Sequence, residues 1–134
     1  MTSVLLRHAS AGERDDWNGP DRLRPLDARG LRESAELVEL LRPLGVRRVV
    51  SSPYARCVQT VEPLAAALGV PVELDDRLAE GSGRAAIALL EEDGVVSCTH
   101  GDVIHELLDR GLKKAAAVVV RDGRVAREIS PPKV

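Results

Sequence analysis

The chain has 134 residues, of which 44% are hydrophobic and 30% charged, and its formal net charge is −2. That length suits one domain around one core, and residues 1–134 are expected to form it. A charge so close to zero supplies no bulk field to draw the chain onto nucleic acid or an anionic membrane. No stretch is long and apolar enough to span a bilayer, and because Met1-Thr2-Ser3 runs straight into strand-like residues no signal peptide is expected. Cys57 and Cys98 are too few for a disulfide framework, so reduced thiols and a cytoplasmic setting are expected. Phe is absent and only Trp17 and Tyr54 are aromatic, so the core must be aliphatic.

Val4-Leu5-Leu6 reads as a short buried strand. Residues 9–26 form a long polar loop, and loops of that length in small domains tend to be functional or disordered. Asp27 is a suitable N-cap for a helix carrying Leu31, Leu37, Val38 and Leu41, which Pro43 and Gly45 close. A second strand spans Val46 to Val50. Ser51-Ser52-Pro53 then opens a helix that runs to about Leu68 and Gly69, with Pro63 as an expected kink. A third strand covers Val70 to Leu74, and a polar loop follows over 75–84. A helix over 85–92 precedes a fourth strand at Val95 to Cys98. Another helix starts at Gly101 or Asp102 and ends near Gly111. Asp122-Gly123 is a strong hairpin signal between strands at 116–120 and 124–129. Alternating strands and helices imply an α/β fold: a three-layer α/β/α sandwich with a mostly parallel sheet and an antiparallel hairpin at its edge.

Open α/β sheets bind ligands at the carboxyl ends of their strands. Four such ends carry chemistry here. Arg7-His8 follows the first strand, Ser51-Ser52-Pro53-Tyr54-Ala55-Arg56 the second, Glu80 lies beyond the third, and Thr99-His100-Gly101 follows the fourth. Two histidines, two arginines and a carboxylate suit phosphoryl transfer. Arginine's planar fork matches phosphate oxygens two at a time. Arg7, Arg56 and a protonated His100 would offset a dianion, and a neutral His8 could take the phosphoryl group. Glu80 would protonate the leaving group, with Asp102 as a rival acid. No residues show metal-ligand spacing, so neither metal nor cofactor is expected. A cysteine-based mechanism is disfavoured, because Cys57 does not begin a Cys-x5-Arg phosphate loop.

These segments together resemble the histidine phosphatase superfamily (phosphoglycerate mutase-like, branch 1), above all its short SixA-type phosphohistidine phosphatases. The chain is also similar to the phosphatase half of some actinobacterial Nudix fusion proteins. Leu5-Leu6-Arg7-His8-Ala9 corresponds to the family's Arg-His-Gly signature, Arg24-Pro25-Leu26 with Gly30 to its Arg-Pro-Leu-Thr…Gly segment, and Ser51-Ser52-Pro53 with Arg56, Gln59 and Thr60 to its second motif. Leu78-Ala79-Glu80 resembles the proton-donor segment and Thr99-His100-Gly101 the last motif. Two positions depart: Ala9 stands for the motif glycine and Asp27 for threonine. The resemblance implies a phosphoglycerate mutase-like fold, a phosphorylated His8, a phosphate pocket of Arg7, His8, Arg56 and His100, and Glu80 as acid. The short segment between the third and fourth strands leaves no large lid. An open pocket favours protein phosphohistidine as substrate; alternatives are a small phosphorylated metabolite such as a sugar or nucleotide phosphate, a non-catalytic phosphate-binding module, or a regulatory partner of a Nudix-type hydrolase. Ser10, Arg22 and Arg24 are read as surface residues, His105 and the cysteines as structural, and Trp17 as packing over the core or the pocket rim.

Overall fold

In the computed structural model, which describes residues 2–134, the apolar runs become six strands. They are β1 (Thr2–Arg7), β2 (Arg48–Ser51), β3 (Val72–Leu74), β4 (Val95–Thr99), β5 (Ala117–Arg121) and β6 (Arg124–Ile129), and the helices are α1 (Ala28–Leu41), α2 (Ala55–Leu68) and α3 (Gly101–Leu108). One sheet holds the strands in the order β3-β2-β4-β1-β5-β6. The first four of these are parallel, β5 is antiparallel to β1, and β6 is antiparallel to β5. The expected mostly parallel sheet with an antiparallel edge hairpin is therefore present. Its turn places Asp122 at φ 50° and Gly123 at φ 77°, the left-handed pair that a tight hairpin demands.

Side-chain alternation divides the interior. Val4 and Leu6 of β1 meet Leu37, Leu41, Val61 and Leu64 of α1 and α2 on one face. Leu5, between them, points to the other face and packs with Val103, Ile104 and Leu107 of α3. Each such buried leucine contributes roughly 1.5–3 kcal/mol. The outermost strand β6 is exposed along most of its length and carries Arg124, Arg127 and Glu128, charges that discourage edge-to-edge pairing.

Local chemistry sets the helix ends. Asp27 accepts a 2.8 Å hydrogen bond from the Gly30 amide, a cap worth about 1 kcal/mol. Gly69 closes α2 at φ 68°. Pro63 lies inside α2 without ending it. The helix expected over 85–92 is instead a 3-10 turn, Ile87–Glu91. So short a segment cannot recover the cost of nucleating an α-helix. The tighter winding sends Leu89 and Leu90 into two adjoining clusters. Strands β2 and β3 begin two residues later than the sequence implies, after Val46 and Val70 have left their turns.

The topology places a crevice. After β1 the chain crosses through α1 to β2, on one side of the sheet; after β4 it crosses through α3 to β5, on the opposite side. Strands β1 and β4 are neighbours whose connections diverge, and such a switch point opens a cleft at the strand ends.

Candidate active site

His8 and His100 follow β1 and β4 directly, so the switch point sets their rings 5.6 Å apart. The His8 backbone is clamped from two sides: its amide donates to Thr99 O at 3.1 Å, and the Ala115 amide donates to the carbonyls of Arg7 and His8. The His8 ring is fixed by Nδ1, 2.8 Å from the Ala9 carbonyl. A carbonyl only accepts, so Nδ1 carries the proton and Nε2 keeps a free lone pair. Among the described residues nothing hydrogen-bonds to that Nε2. Burial holds the ring neutral: its pKa falls to about 3, with the Ala9 hydrogen bond opposing and His100, Arg56 and Arg7 adding to the fall. A buried, oriented, uncharged imidazole with one open nitrogen is a competent nucleophile.

The second motif works as a brace. From the first turns of α2, the Thr60 hydroxyl accepts from the Ala9 amide at 3.0 Å and donates to the Arg56 carbonyl at 2.6 Å. Gln59 accepts from the Leu26 amide at 2.8 Å. Thus α2 ties down both the residue after His8 and the far end of the 9–26 loop. Gly30 completes the docking, because a side chain there would collide with the Ser10 carbonyl.

Around His8 lie donors without acceptors. The buried side-chain nitrogens and oxygens that lack a partner among the described residues are Arg7 Nε, Arg56 Nε, His100 Nδ1 and Ser97 Oγ. Three of these four belong to residues lining one cavity of about 260 Å³, with His8 and Glu80 in its wall. Leaving a buried polar nitrogen unpaired costs about 1–3 kcal/mol, so three in one place suit an anionic ligand. Arg7 is anchored by Nη1 to the Leu112 carbonyl at 2.8 Å. Its guanidinium lies against the start of α3, where a Cβ on Gly101 would come within 3.1 Å of it. His100 Nε2 sits 2.8 Å from Ser52 Oγ, and the Tyr54 ring packs edge-on at 4.7 Å.

Arg56 is 1% exposed. Its end fork is occupied: Nη1 donates to the Asp21 carbonyl at 3.0 Å and Nη2 to Asp21 Oδ2 at 3.1 Å. Nη2 also donates to Glu80 Oε2 at 3.4 Å, and Nε–H has no partner among the described residues. Glu80 Oε1 also accepts from Arg14 at 2.7 Å. Asp102, the rival acid, accepts from the Gly81 amide at 2.8 Å and so holds the Glu80 loop against α3.

The structure thus brings Arg7, His8, Arg56, Glu80 and His100 together. The sequence reading missed Asp21, which bonds Arg56 and Arg24 and reaches Arg14 at 3.5 Å. Burial works against its charge, but Arg24, Arg56 and Arg14 outweigh it and hold its pKa below the usual carboxylate range. No signal in the sequence sets Asp21 apart from the other charges of this loop, Glu13, Asp15, Asp16 and Arg22 among them. Arg24 is not a surface residue: it is 7% exposed and donates to the carbonyls of Ala11 and Gly12, so it staples the loop from inside. His105, read as structural, lies within α3 on its exposed face. Cys57 and Cys98 are free and buried, with Cys57 Sγ 3.6 Å from His100 Nε2. Among the described residues no group of three or more His, Cys, Asp or Glu side chains could hold a metal ion, and no helix is long and apolar enough to cross a membrane.

The profile of the histidine phosphatase superfamily (branch 1) matches residues 3–86. An 8-oxo-(d)GTP phosphatase from Mycolicibacterium smegmatis is 35% identical over 123 residues, 85% of this chain and 38% of that protein. The chain therefore spans well under half the length of that relative. Among solved structures, the protein histidine phosphatase SixA complexed with tungstate matches with a TM-score of 0.75 at 24% identity, over 98% of this chain and 97% of that one. A mycobacterial glucosyl-3-phosphoglycerate phosphatase matches with a TM-score of 0.67 at 18% identity, over 88% of each. Both are likenesses of fold. With a profile match across more than half its length, this chain belongs to the histidine phosphatase superfamily, branch 1.

Proposed function

We propose that residues 1–134 form a single-domain phosphatase that works without a metal through a phosphohistidine on His8, with protein phosphohistidine as its preferred substrate. The observation that carries the reading is the trio of unpaired buried nitrogens on Arg7, Arg56 and His100 beside the open Nε2 of His8. These donors suit the three non-bridging oxygens of a phosphoryl group, and their fixed positions supply charge stabilisation without reorganisation. His8 Nε2 attacks phosphorus, and the bond from phosphorus to the leaving group breaks. Glu80, at the cavity wall, gives that group its proton. A water then attacks the phosphohistidine, Glu80 takes its proton, the nitrogen–phosphorus bond breaks, and inorganic phosphate leaves. Glu80 is favoured over Asp102 because its Oε2 reaches Arg56 Nη2, beside the phosphate donors, at 3.4 Å, whereas Asp102 reaches the Gly81 amide.

The preference for a protein substrate rests on the missing lid. Between β3 and β4 the chain forms only two 3-10 turns, Asp76–Leu78 and Ile87–Glu91, with loops between them. A pocket so bordered admits a side chain presented on another protein. A second reading, hydrolysis of a nucleotide phosphate, is supported by the 35% identity to the 8-oxo-(d)GTP phosphatase. Phosphate release in chelator-treated buffer, from a phosphohistidine protein and from nucleoside phosphates, tests both. The phosphohistidine protein is expected to turn over faster, and His8→Ala is expected to remove turnover by at least about a thousandfold. Faster turnover of nucleotides would favour the second reading, and an active His8→Ala variant would overturn both.

A further inference from the structure

We propose that a recess beside the phosphate pocket, walled by Trp17, receives a flat ring carried by the leaving group of the substrate. This rests on the phosphatase reading above and names a feature of its substrate. The recess measures about 230 Å³ and is lined by Trp17, Pro25, Leu26 and Ala11 among others. It shares Gly12, Glu13 and Arg24 with the phosphate pocket, so the two sites are neighbours along the 9–26 loop. A phosphate held by Arg7 and Arg56 would extend its ester or amide substituent past these shared residues.

Trp17 has no other evident duty. It belongs to none of the three core clusters, although aromatic residues are so scarce that a core would be expected to claim the one tryptophan. Instead it stands half-buried in a loop rich in charge. The indole is held in place: Nε1–H donates to the Pro20 carbonyl at 2.9 Å, and Gly19, at φ 141°, lies against the ring. The loop beneath is equally set. Arg24 Nη1 donates to Ala11 O at 2.6 Å, and Asp27 accepts from the Gly12 amide at 3.0 Å. A preformed apolar wall with a fixed aromatic face recognises ring systems at low entropic cost. The carboxylates of Glu13 and Asp16 at its margin accept ring N–H groups and repel a further anionic substituent.

The shared chemistry is a flat heteroaromatic ring on the leaving side of phosphorus, bonded directly to it in phosphohistidine and set off by the sugar in a nucleotide. Because Trp17 is the only tryptophan, its emission reports this recess alone. The test titrates the wild-type chain with phenyl phosphate, glycerol phosphate and inorganic phosphate. Phenyl phosphate is expected to quench the emission, while the two ringless probes leave it unchanged. The ratio of kcat/KM for phenyl phosphate to that for glycerol phosphate is expected to fall by about five- to tenfold in Trp17→Ala, as the loss of one aromatic contact implies, and Trp17→Phe is expected to restore most of it. Free phosphohistidine and a nucleoside monophosphate, compared in the same assay, identify the source of the ring. Equal quenching by inorganic phosphate, or an unchanged ratio in Trp17→Ala, overturns the recess while leaving the phosphatase intact. A ring-dependent quench without any turnover upholds the recess and overturns the phosphatase reading.

Discussion

The two walls of the pocket are held by different forces. The wall made by strand ends carries Arg7, His8, Ser52 and His100, and backbone bonds fix it: His8 to Thr99, Ser52 to Cys98, and Ala115 to Arg7 and His8. The wall made by the 9–26 and 75–84 loops carries Arg14, Asp21, Arg24 and Glu80, and side-chain ion pairs join these to one another and to Arg56. The first wall keeps its donors unpaired and aligned. The second saturates its own charges, so a dianion must compete with Glu80 for part of Arg56. One half is thus fixed by backbone bonds and the other by side-chain ion pairs.

Arg56 joins the walls, and its loss should do the most harm. Arg56→Ala removes the buried cation between Asp21 and Glu80 and leaves only the exposed Arg14 to bridge them. Breaking such a buried pair is expected to lower stability by about 3 kcal/mol, read from urea unfolding, with turnover falling at least about a hundredfold. If stability were unchanged, the ion pairs would not be holding the loop wall.

The next effect is a pH dependence belonging to the strand wall. His8 titrates at about 3 when folded and near 6.5 when unfolded. Between those values the unfolded chain takes up a proton that the folded chain refuses, so stability is full above pH 6.5 and is lost as pH falls toward 3. The slope approaches about 1.4 kcal/mol per pH unit for this one group. Urea midpoints measured from pH 7 to pH 4 should flatten in His8→Asn, and the His8 ring should show no NMR titration between pH 5 and 8. The loop wall adds its share lower down: the depressed carboxyls of Asp21 and Asp27 give up their stabilisation only as pH drops below the usual carboxylate range.

Gly101→Ala sharpens the contrast further. The new methyl group would meet the Arg7 guanidinium, which is the movable end of a side chain. A drop of about tenfold in kcat/KM with little change in stability is expected, since only a donor's aim is disturbed. The smallest effect should come from Asp102→Ala, which frees the Gly81 amide and loosens the Glu80 loop. A loss of about 1 kcal/mol and a few-fold fall in kcat with KM nearly constant are expected.

The same division explains what could be read from the chain. The strand wall was legible because its residues stand at fixed offsets from strand ends, where topology alone brings Arg7, His8, Arg56 and His100 together. The α/β layers and the Asp122-Gly123 hairpin followed from periodicity and turn chemistry. Of the loop wall only Glu80 was legible, through its place beyond the third strand. Asp21, Arg14 and Arg24 acquire partners only through the path of an aperiodic segment, and no spacing rule distinguishes them from solvated charges such as Arg22. The segment over 85–92 failed for a related reason: its apolar spacing fits a helix, but its ends are dictated by the loop behind it and the strand ahead.

The account stands on His8 Nε2 as the atom that bonds phosphorus. Brief mixing with labelled phosphohistidine protein, an alkaline quench and peptide mapping would capture the covalent intermediate. The account predicts an acid-labile, alkali-stable phosphate on the peptide holding His8, absent in His8→Ala. Label on another residue, or steady turnover with no phosphoenzyme at any time point, would contradict it.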